Sequence, residues 1–372
     1  MPKLSVPDIH SQYLCPELQA VLWCAKIKFQ KAFSYRLTDI FLPSLNWDKL
    51  LYYAQVHALT PLVHEVIASQ PQSVIPINIL KALAERRRAI AYHNLQCTHD
   101  LLLLHKEFKK QSIRVISYKG PLLAISSYGN LSLREFGDLD LLIDKRDIKK
   151  SVDIIAAKGY RITSRYSWEI TFTKEDKKEL DLHYSLSPWT FPVSLFFDCL
   201  WEHAHRVRIA DEDIVTFCPE HNLMVLCVQV SKDAWEDRLT LNKLCDIAAL
   251  LSVSHQQFNW FYVLHEAALC RLSRILYFGL ALTKAFLDIK LPALILKELR
   301  QQSWIEKGVL QTVYRVAALK IGKKSGFFHR MQLHFFLQES LLGKASQVGM
   351  LLTRLKWEQK KIIHEKIPYS KN

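Results

Sequence analysis

The stretch LREFGDLDLLID, Leu133–Asp144, constrains the fold more than any other part of the chain. After Gly137 it sets two carboxylates two residues apart at the mouth of a strongly apolar run. Side chains alternate across a strand, so Asp138 and Asp140 share one face while Leu139, Leu141 and Ile143 share the other. The apolar face demands a core. The acidic face sets two like charges side by side, which repel unless something positive lies between them. The usual positive object is a divalent cation.

The surrounding pattern divides the chain into three. Residues 1–111 repeat their apolar positions at helical spacing. In NWDKLLYYAQVHALTPLVHEVIAS, Asn46 reads as an N-cap, and Leu50, Leu51, Ala54, Ala58 and Leu62 form one stripe. LKALAERRRAIAYHNLQCTHDLLLLHKEFKKQ reads as a second, longer helix. Residues 112–218 change texture. IRVISY is a short strand that stops at Lys119–Gly120, PLLAISSYG opens a helix with Pro121 in its first turn, and DIKKSVDIIAAKGY is a helix ending at Gly159. RITSRY, WEITFTKE and KELDLHYSL alternate as strands, and DEDIVTF is one more. Residues 219–372 return to helical periodicity. The expected class is α+β: a small mixed-sheet core flanked by N-terminal and C-terminal helical regions.

Composition narrows the setting. Of 372 residues only 10 are Gly and 13 Pro, which favours helix. The opening MPKLSVPDIHSQYL has no basic start followed by an apolar core, so no secretory signal is expected. ILYFGLALTKAFLDIKL, from Ile275, is interrupted by Lys284 and Asp288 and falls short of the ~18 apolar residues of a membrane span. It reads as a buried helix. The 8 cysteines contain no C-x-x-C pair, which argues against a disulfide framework or a structural zinc and for a reducing cytoplasm. The net charge is +14, and residues 301–372 hold 13 Lys and Arg against 4 Glu. A basic segment of this kind either attracts nucleic acid or is a solvated helix face; the solvated face is the simpler reading.

A D-x-D pair alone is weak evidence of chemistry, because a solvated turn before a strand gives the same residues. Two further features add to it. KKELDLHYSL supplies a third carboxylate, with Glu179, Asp181 and His183 on one strand face opposite Leu180, Leu182 and Tyr184. Lys119–Gly120 closes a strand at a helix start, where Gly permits close backbone approach and free N–H groups suit an anion. Carboxylates on neighbouring strands beside an anion cradle suit Mg²⁺, or Mn²⁺, which takes carboxylate and phosphate oxygens. Two such ions ~3.5–4 Å apart stabilise the attacking and leaving oxygens of phosphoryl-type transfer.

The run SYKGPLLAISSYGNLSLREFGDLDLLI, followed by ELDLHYSL, resembles the uncharacterised nucleotidyltransferase family of the polymerase-β-like superfamily. Lys119, Gly120, Tyr128, Arg134, Asp138, Asp140, Asp181 and His183 occupy its motif positions. WDKLLYYAQVHALTPLV extends the resemblance, as does CPEHNLMVLCVQVSKDAWEDRLTLNKLCDIAALL with Lys232 and Asp246. The family more often has Glu where this chain has Asp181, and the superfamily's Gly-Ser turn is Lys-Gly here. The resemblance implies transfer of a nucleoside monophosphate from an NTP to an acceptor, with pyrophosphate released. Asp138 and Asp140 would bind the metal, Asp181 would complete a second metal site and help deprotonate the acceptor, and the Gly120 N–H would meet the triphosphate. Lys119, Arg134, His183 and Lys232 are the further nucleotide-binding candidates.

Each candidate also has a plainer role. Lys119 could be a solvated strand end, Arg134 could pair with Asp138 or Glu135, His183 could be a hydrogen-bonded structural residue and Lys232 a surface lysine. Tyr128 suits packing, Asp246 suits orienting a helix, and His203 with His205 resembles a metal pair without a third ligand. A D-x-D glycosyltransferase and a non-catalytic nucleotide- or RNA-binding protein on the same scaffold are the alternatives. Protein, peptide, RNA and small molecules stand as acceptors.

Overall fold

The computed structural model describes residues 13–30, 45–69, 75–188, 191, 193–254, 258–318, 327–337 and 339. Most of the basic C-terminal stretch, including Lys323–Lys324 and Lys360–Lys361, lies outside the described residues. The chain forms two compact units. One comprises the residues up to Thr98, Gly120–Phe136 and Cys218–Glu339; the other comprises His99–Lys119 and Gly137–Phe217.

The second unit is built on a five-stranded sheet, and its class is mixed α+β. The strands are β1 (Val115–Tyr118), β2 (Asp138–Ile143), β3 (Arg161–Arg165), β4 (Glu169–Thr173) and β5 (Glu179–His183). Their spatial order is β1-β2-β5-β4-β3. β2 and β5 run parallel; β1–β2, β5–β4 and β4–β3 are antiparallel. The alternation read from sequence produces one largely apolar face, with the buried Ser117 of β1 its polar member. Leu139, Leu141 and Ile143 of β2, Leu180 and Leu182 of β5, and Ile170 and Phe172 of β4 are all buried.

Behind that face a polar anchor joins helix Ile77–Lys110 to the sheet. The Asp100 carboxylate meets Lys178 Nζ at 2.7 Å and Lys174 Nζ at 3.2 Å, and accepts from Tyr160 Oη at 3.0 Å. Burial by itself pushes the Asp100 carboxyl up, but these partners outweigh it and hold it low. A hairpin follows the sheet. β6 (His205–Ile209) returns as β7 (Glu212–Thr216) through Ala210 at φ +51°, and β7 lies against β1. DEDIVTF thus supplies β7, while β6 escaped the sequence reading although its HRVRI alternates arginines with Val207 and the buried Ile209.

The first unit is helical. Asn46 caps helix Trp47–Val56 by accepting from the Lys49 N–H at 3.0 Å. The apolar stripe from Leu50 to Leu62 is not one helix, however. The chain breaks at His57–Ala58, with Ala58 at φ +53°, and restarts as Thr60–Ala68 with Pro61 in the first turn. Proline fits there because a first-turn N–H has no intrahelical partner. The apolar run from Ile275 is the buried helix Ser273–Leu287, stopped by Asp288 in the left-handed conformation. Among the described residues no helix is long and apolar enough to cross a membrane. All 8 cysteines are free thiols.

Helix Ser273–Leu287 packs on helix Pro219–Trp235, and Gly279 sets how closely. A Cβ on Gly279 would fall 2.7 Å from Cys227 Sγ and 2.9 Å from its Cβ. Gly279→Ala gains about 1 kcal/mol of helix propensity. It also forces the two helices apart, which in a packed core costs about 1–3 kcal/mol. The net result expected is a lower melting temperature, read by circular dichroism; an unchanged or higher one would show that the helices separate freely.

Candidate active site

The sheet register builds the site. Parallel pairing of β2 with β5 sets Asp138 opposite Glu179 and Asp140 opposite Asp181. Antiparallel pairing of β5 with β4 sets Thr171 opposite Asp181 and Glu169 opposite His183. Tyr118 of β1 stands opposite Asp140. The polar face of three central strands therefore gathers Asp138, Asp140, Glu169, Asp181 and His183, while the leucines between them anchor the other face. A slip of one residue would turn the carboxylates into the core, so the apolar pattern enforces the register.

Asp140 is the centre. It is 4% exposed, and its Oδ1 takes two partners, Lys119 Nζ at 2.9 Å and His183 Nε2 at 3.2 Å. Burial alone pushes this carboxyl up, but the Lys119 ammonium and His183 more than offset it and hold it well below the usual carboxylate range. Its second oxygen, Oδ2, and Asp181 Oδ1 are buried without a hydrogen-bond partner among the described residues. Whereas Asp140 pairs with Lys119, Asp181 pairs with no lysine among the described residues. Burial and then the charges of Glu169, Asp140 and Asp138 push its carboxyl up to about 6, against a lowering by His183. The other ring nitrogen of His183, Nδ1, lies 3.2 Å from Glu169 Oε2. The Tyr118 ring closes this corner, its centroid 5.6 Å from that of His183.

Asp140, Asp181 and His183 each offer a ligand atom, all within 4.8 Å of one another. Two buried carboxylate oxygens without a donor, on neighbouring strands, are costly without a positive partner. They are the hard oxygen donors a divalent cation takes. The residues fit such an ion. Asp138 stands one pair along the strands, half-buried, outside this three-residue group.

Lys119 reaches Asp140 from an unusual backbone. It has φ +53° and Gly120, the first residue of helix Gly120–Ser126, follows at φ +36°, so two successive residues have positive φ where β1 gives way to the helix. Such a conformation costs a side-chain-bearing residue on the order of 1 kcal/mol and clusters at functional sites. Gly120 satisfies it freely.

The family model of the uncharacterised nucleotidyltransferases matches residues 43–288, about two-thirds of the chain, and the whole five-stranded sheet lies within the match. The chain belongs to this family. It is an enzyme of nucleotidyl transfer. Among solved structures, the lincomycin-bound lincosamide antibiotic adenylyltransferase LnuA is similar at 19% identity with a TM-score of 0.31, over 42% of this chain and 96% of that one. Comparison with curated protein sequences returns no match.

In this nucleotidyltransferase, Arg134 pairs with a residue that its sequence neighbourhood does not offer. It lies in the first unit, 4% exposed, and donates from Nε and Nη2 to Asp246 Oδ1 and Oδ2, both at 2.8 Å. Tyr128 Oη donates to the same Asp246 Oδ1 at 2.7 Å, and Asn94 Nδ2 holds the loop by its Leu131 and Arg134 carbonyls. A guanidinium engaged bidentately by a buried carboxylate cannot clamp phosphate without breaking that pair. Arg134, Tyr128 and Asp246 thus form a structural pin. Lys232 lies in the last turn of helix Pro219–Trp235, also in the first unit, as does Gly120. His203 donates to, or is turned toward, the Cys199 carbonyl at 3.0 Å, and His205 is exposed at the start of β6.

Glu169 escaped the sequence reading. WEITFTKE showed only that Glu169, Thr171 and Thr173 share a face. Nothing in the sequence says that β4 lies beside β5, and that pairing alone sets Glu169 against His183.

Proposed function

We propose that this nucleotidyltransferase moves a nucleoside monophosphate from an NTP to an acceptor hydroxyl, releasing pyrophosphate, with Mg²⁺ or Mn²⁺ held by Asp138, Asp140 and Asp181. The observation that carries this reading is the pair of buried, donor-free oxygens, Asp140 Oδ2 and Asp181 Oδ1. A bound divalent cation supplies charge neutralisation at the triphosphate.

The chain's own residues divide the remaining work. Lys119 and His183 fix Asp140 by one oxygen and keep it ionised, leaving the other for the cation. Asp181, on the strand beside Asp140, is the carboxylate that accepts the acceptor's proton. The acceptor oxygen forms its bond to the α-phosphorus as the bond from that phosphorus to the bridging oxygen breaks. Pyrophosphate leaves with that oxygen. Such catalysis is mainly positioning and charge stabilisation, which suits a site with few polar residues. A cytoplasmic setting, reducing and rich in NTPs, suits an enzyme with 8 free thiols.

The glycosyltransferase alternative calls for a longer parallel sheet, whereas here β2–β5 is the one parallel pair in the five-stranded sheet. The non-catalytic alternative gives way to the family's enzyme class.

The test incubates purified protein with each of the four NTPs, Mg²⁺ or Mn²⁺, and cell extract as a source of protein, peptide, RNA and small-molecule acceptors. Pyrophosphate release that stops with chelator and returns with metal is expected for at least one NTP. Folded protein that neither binds nor turns over any NTP would refute the proposal.

A further inference from the structure

We infer that Glu169 is a positioning residue of this site, setting the His183 ring so that Asp140 presents its free oxygen to the cation. The inference rests on the proposed function and extends it to a residue on β4, a strand that carries none of the metal-ligand candidates.

The geometry is a chain of three side chains across three strands. Glu169 Oε2 on β4 lies 3.2 Å from His183 Nδ1 on β5, and His183 Nε2 lies 3.2 Å from Asp140 Oδ1 on β2. Nε2 is hydrogen-bonded to Asp140, while Nδ1 meets Glu169 as a close polar contact without hydrogen-bond geometry, so a carboxylate stands at each side of the ring. Turning the ring by 180° about its Cβ–Cγ bond would exchange Nδ1 for Cδ2 and Nε2 for Cε1 and lose both contacts at once. With Asp140 alone, the ring would have one polar contact to hold it. Glu169 supplies the second, and its place is fixed by the β4–β5 register, which pairs Glu169 directly with His183.

The consequence falls on Asp140. Lys119 and His183 converge on Oδ1 and leave Oδ2 buried without a hydrogen bond. If His183 turns away, Asp140 is held by Lys119 alone and its carboxylate plane is free to rotate, exchanging Oδ1 and Oδ2. Residues that orient a metal ligand from behind change metal affinity or activity typically by 10–100-fold.

Mn²⁺ binding to the apoprotein, measured by electron paramagnetic resonance without nucleotide, tests this independently of turnover. Glu169→Ala should weaken Mn²⁺ affinity about 10–100-fold. Glu169→Gln, which keeps the side chain's shape and a polar oxygen beside Nδ1, should stay within about threefold of wild type. In a His183→Ala background, Glu169→Ala should have no further effect, because its influence runs through that ring. Glu169→Gln as weak as Glu169→Ala would mean that charge alone matters and would overturn positioning. So would equal losses for Glu169→Ala with and without His183. Wild-type affinity in Glu169→Ala would overturn it as well. Wild-type protein that binds no Mn²⁺ would remove the proposed metal site itself, and this inference with it.

Discussion

Asp140→Asn and Asp181→Asn should each lower nucleotidyl transfer by about 10³-fold, yet move the stability of the metal-free protein in opposite directions. The activity loss follows from the site's task. A carboxylate that holds a divalent cation contributes to several kcal/mol of charge stabilisation, and about 4 kcal/mol is a thousandfold in rate. The stability contrast follows from the partners. Asp140 is held low by Lys119 and His183, so neutralising it strands a largely buried ammonium. Breaking a buried pair from one side costs about 3–5 kcal/mol, and Asp140→Asn should fall toward the low end because Lys119 keeps some contact with solvent.

Asp181 is the reverse case. Its carboxyl is raised from 3.8 to about 6 by burial and then by neighbouring carboxylates. A group raised on folding favours its protonated form in the native state. The stability it lends is therefore present below about pH 4 and lost as pH climbs through 6, so at pH 7 its charge opposes folding. Asp181→Asn removes that opposition and should stabilise the apoprotein by about 1–3 kcal/mol. Melting curves at pH 7 with chelator, run beside pyrophosphate assays, read both effects. If either variant keeps turnover within tenfold of wild type, that carboxylate does not hold the cation. If Asp181→Asn melts below wild type, its charge is not the burden the structure indicates.

The second large effect lies away from the chemistry. Arg134→Met leaves the Asp246 carboxylate, 1% exposed, with the Tyr128 hydroxyl and no cation in this pin; Asp246→Leu leaves the guanidinium stranded. Each single change should cost about 3–5 kcal/mol. The double variant Arg134→Met/Asp246→Leu should recover most of that loss, since a buried ion pair replaced whole by apolar groups of similar size is often neutral or better. Urea unfolding midpoints of the three variants decide it. Single variants within 1 kcal/mol of wild type would show that the pair contributes nothing to folding. A nucleotide-binding role for Arg134 would instead appear as a raised KM with unchanged midpoints.

What the sequence made legible was the orientation of residues on their own strand or helix. Alternation placed Asp138 with Asp140 and Asp181 with His183, and the cap at Asn46 was visible as local chemistry. What it hid was neighbourhood. Asp246 lies 112 residues from Arg134, so the arginine's partner was sought nearby at Asp138 and Glu135. Glu169 is an ordinary acid in an amphipathic strand until β5 is laid beside it. The break at His57–Ala58 was hidden for another reason: the apolar stripe continues in phase across it, and only the left-handed backbone at Ala58 shows that two helices share the stripe. Periodicity reports which way a side chain faces; strand order, set by pairing between distant segments, reports what it meets.

The order β1-β2-β5-β4-β3 gives β5 a place between strands that precede it in the chain. During synthesis β2 emerges with its two carboxylates well before β5 exists, and β3 and β4 can form a hairpin on their own. The two halves of the sheet share no ladder until the last strand slots between them. The strand that carries Asp181 and His183 is therefore also the keystone of the sheet. On the proposed function the cation site is completed in the same event that closes the sheet, and a nascent chain halted short of His183 has neither.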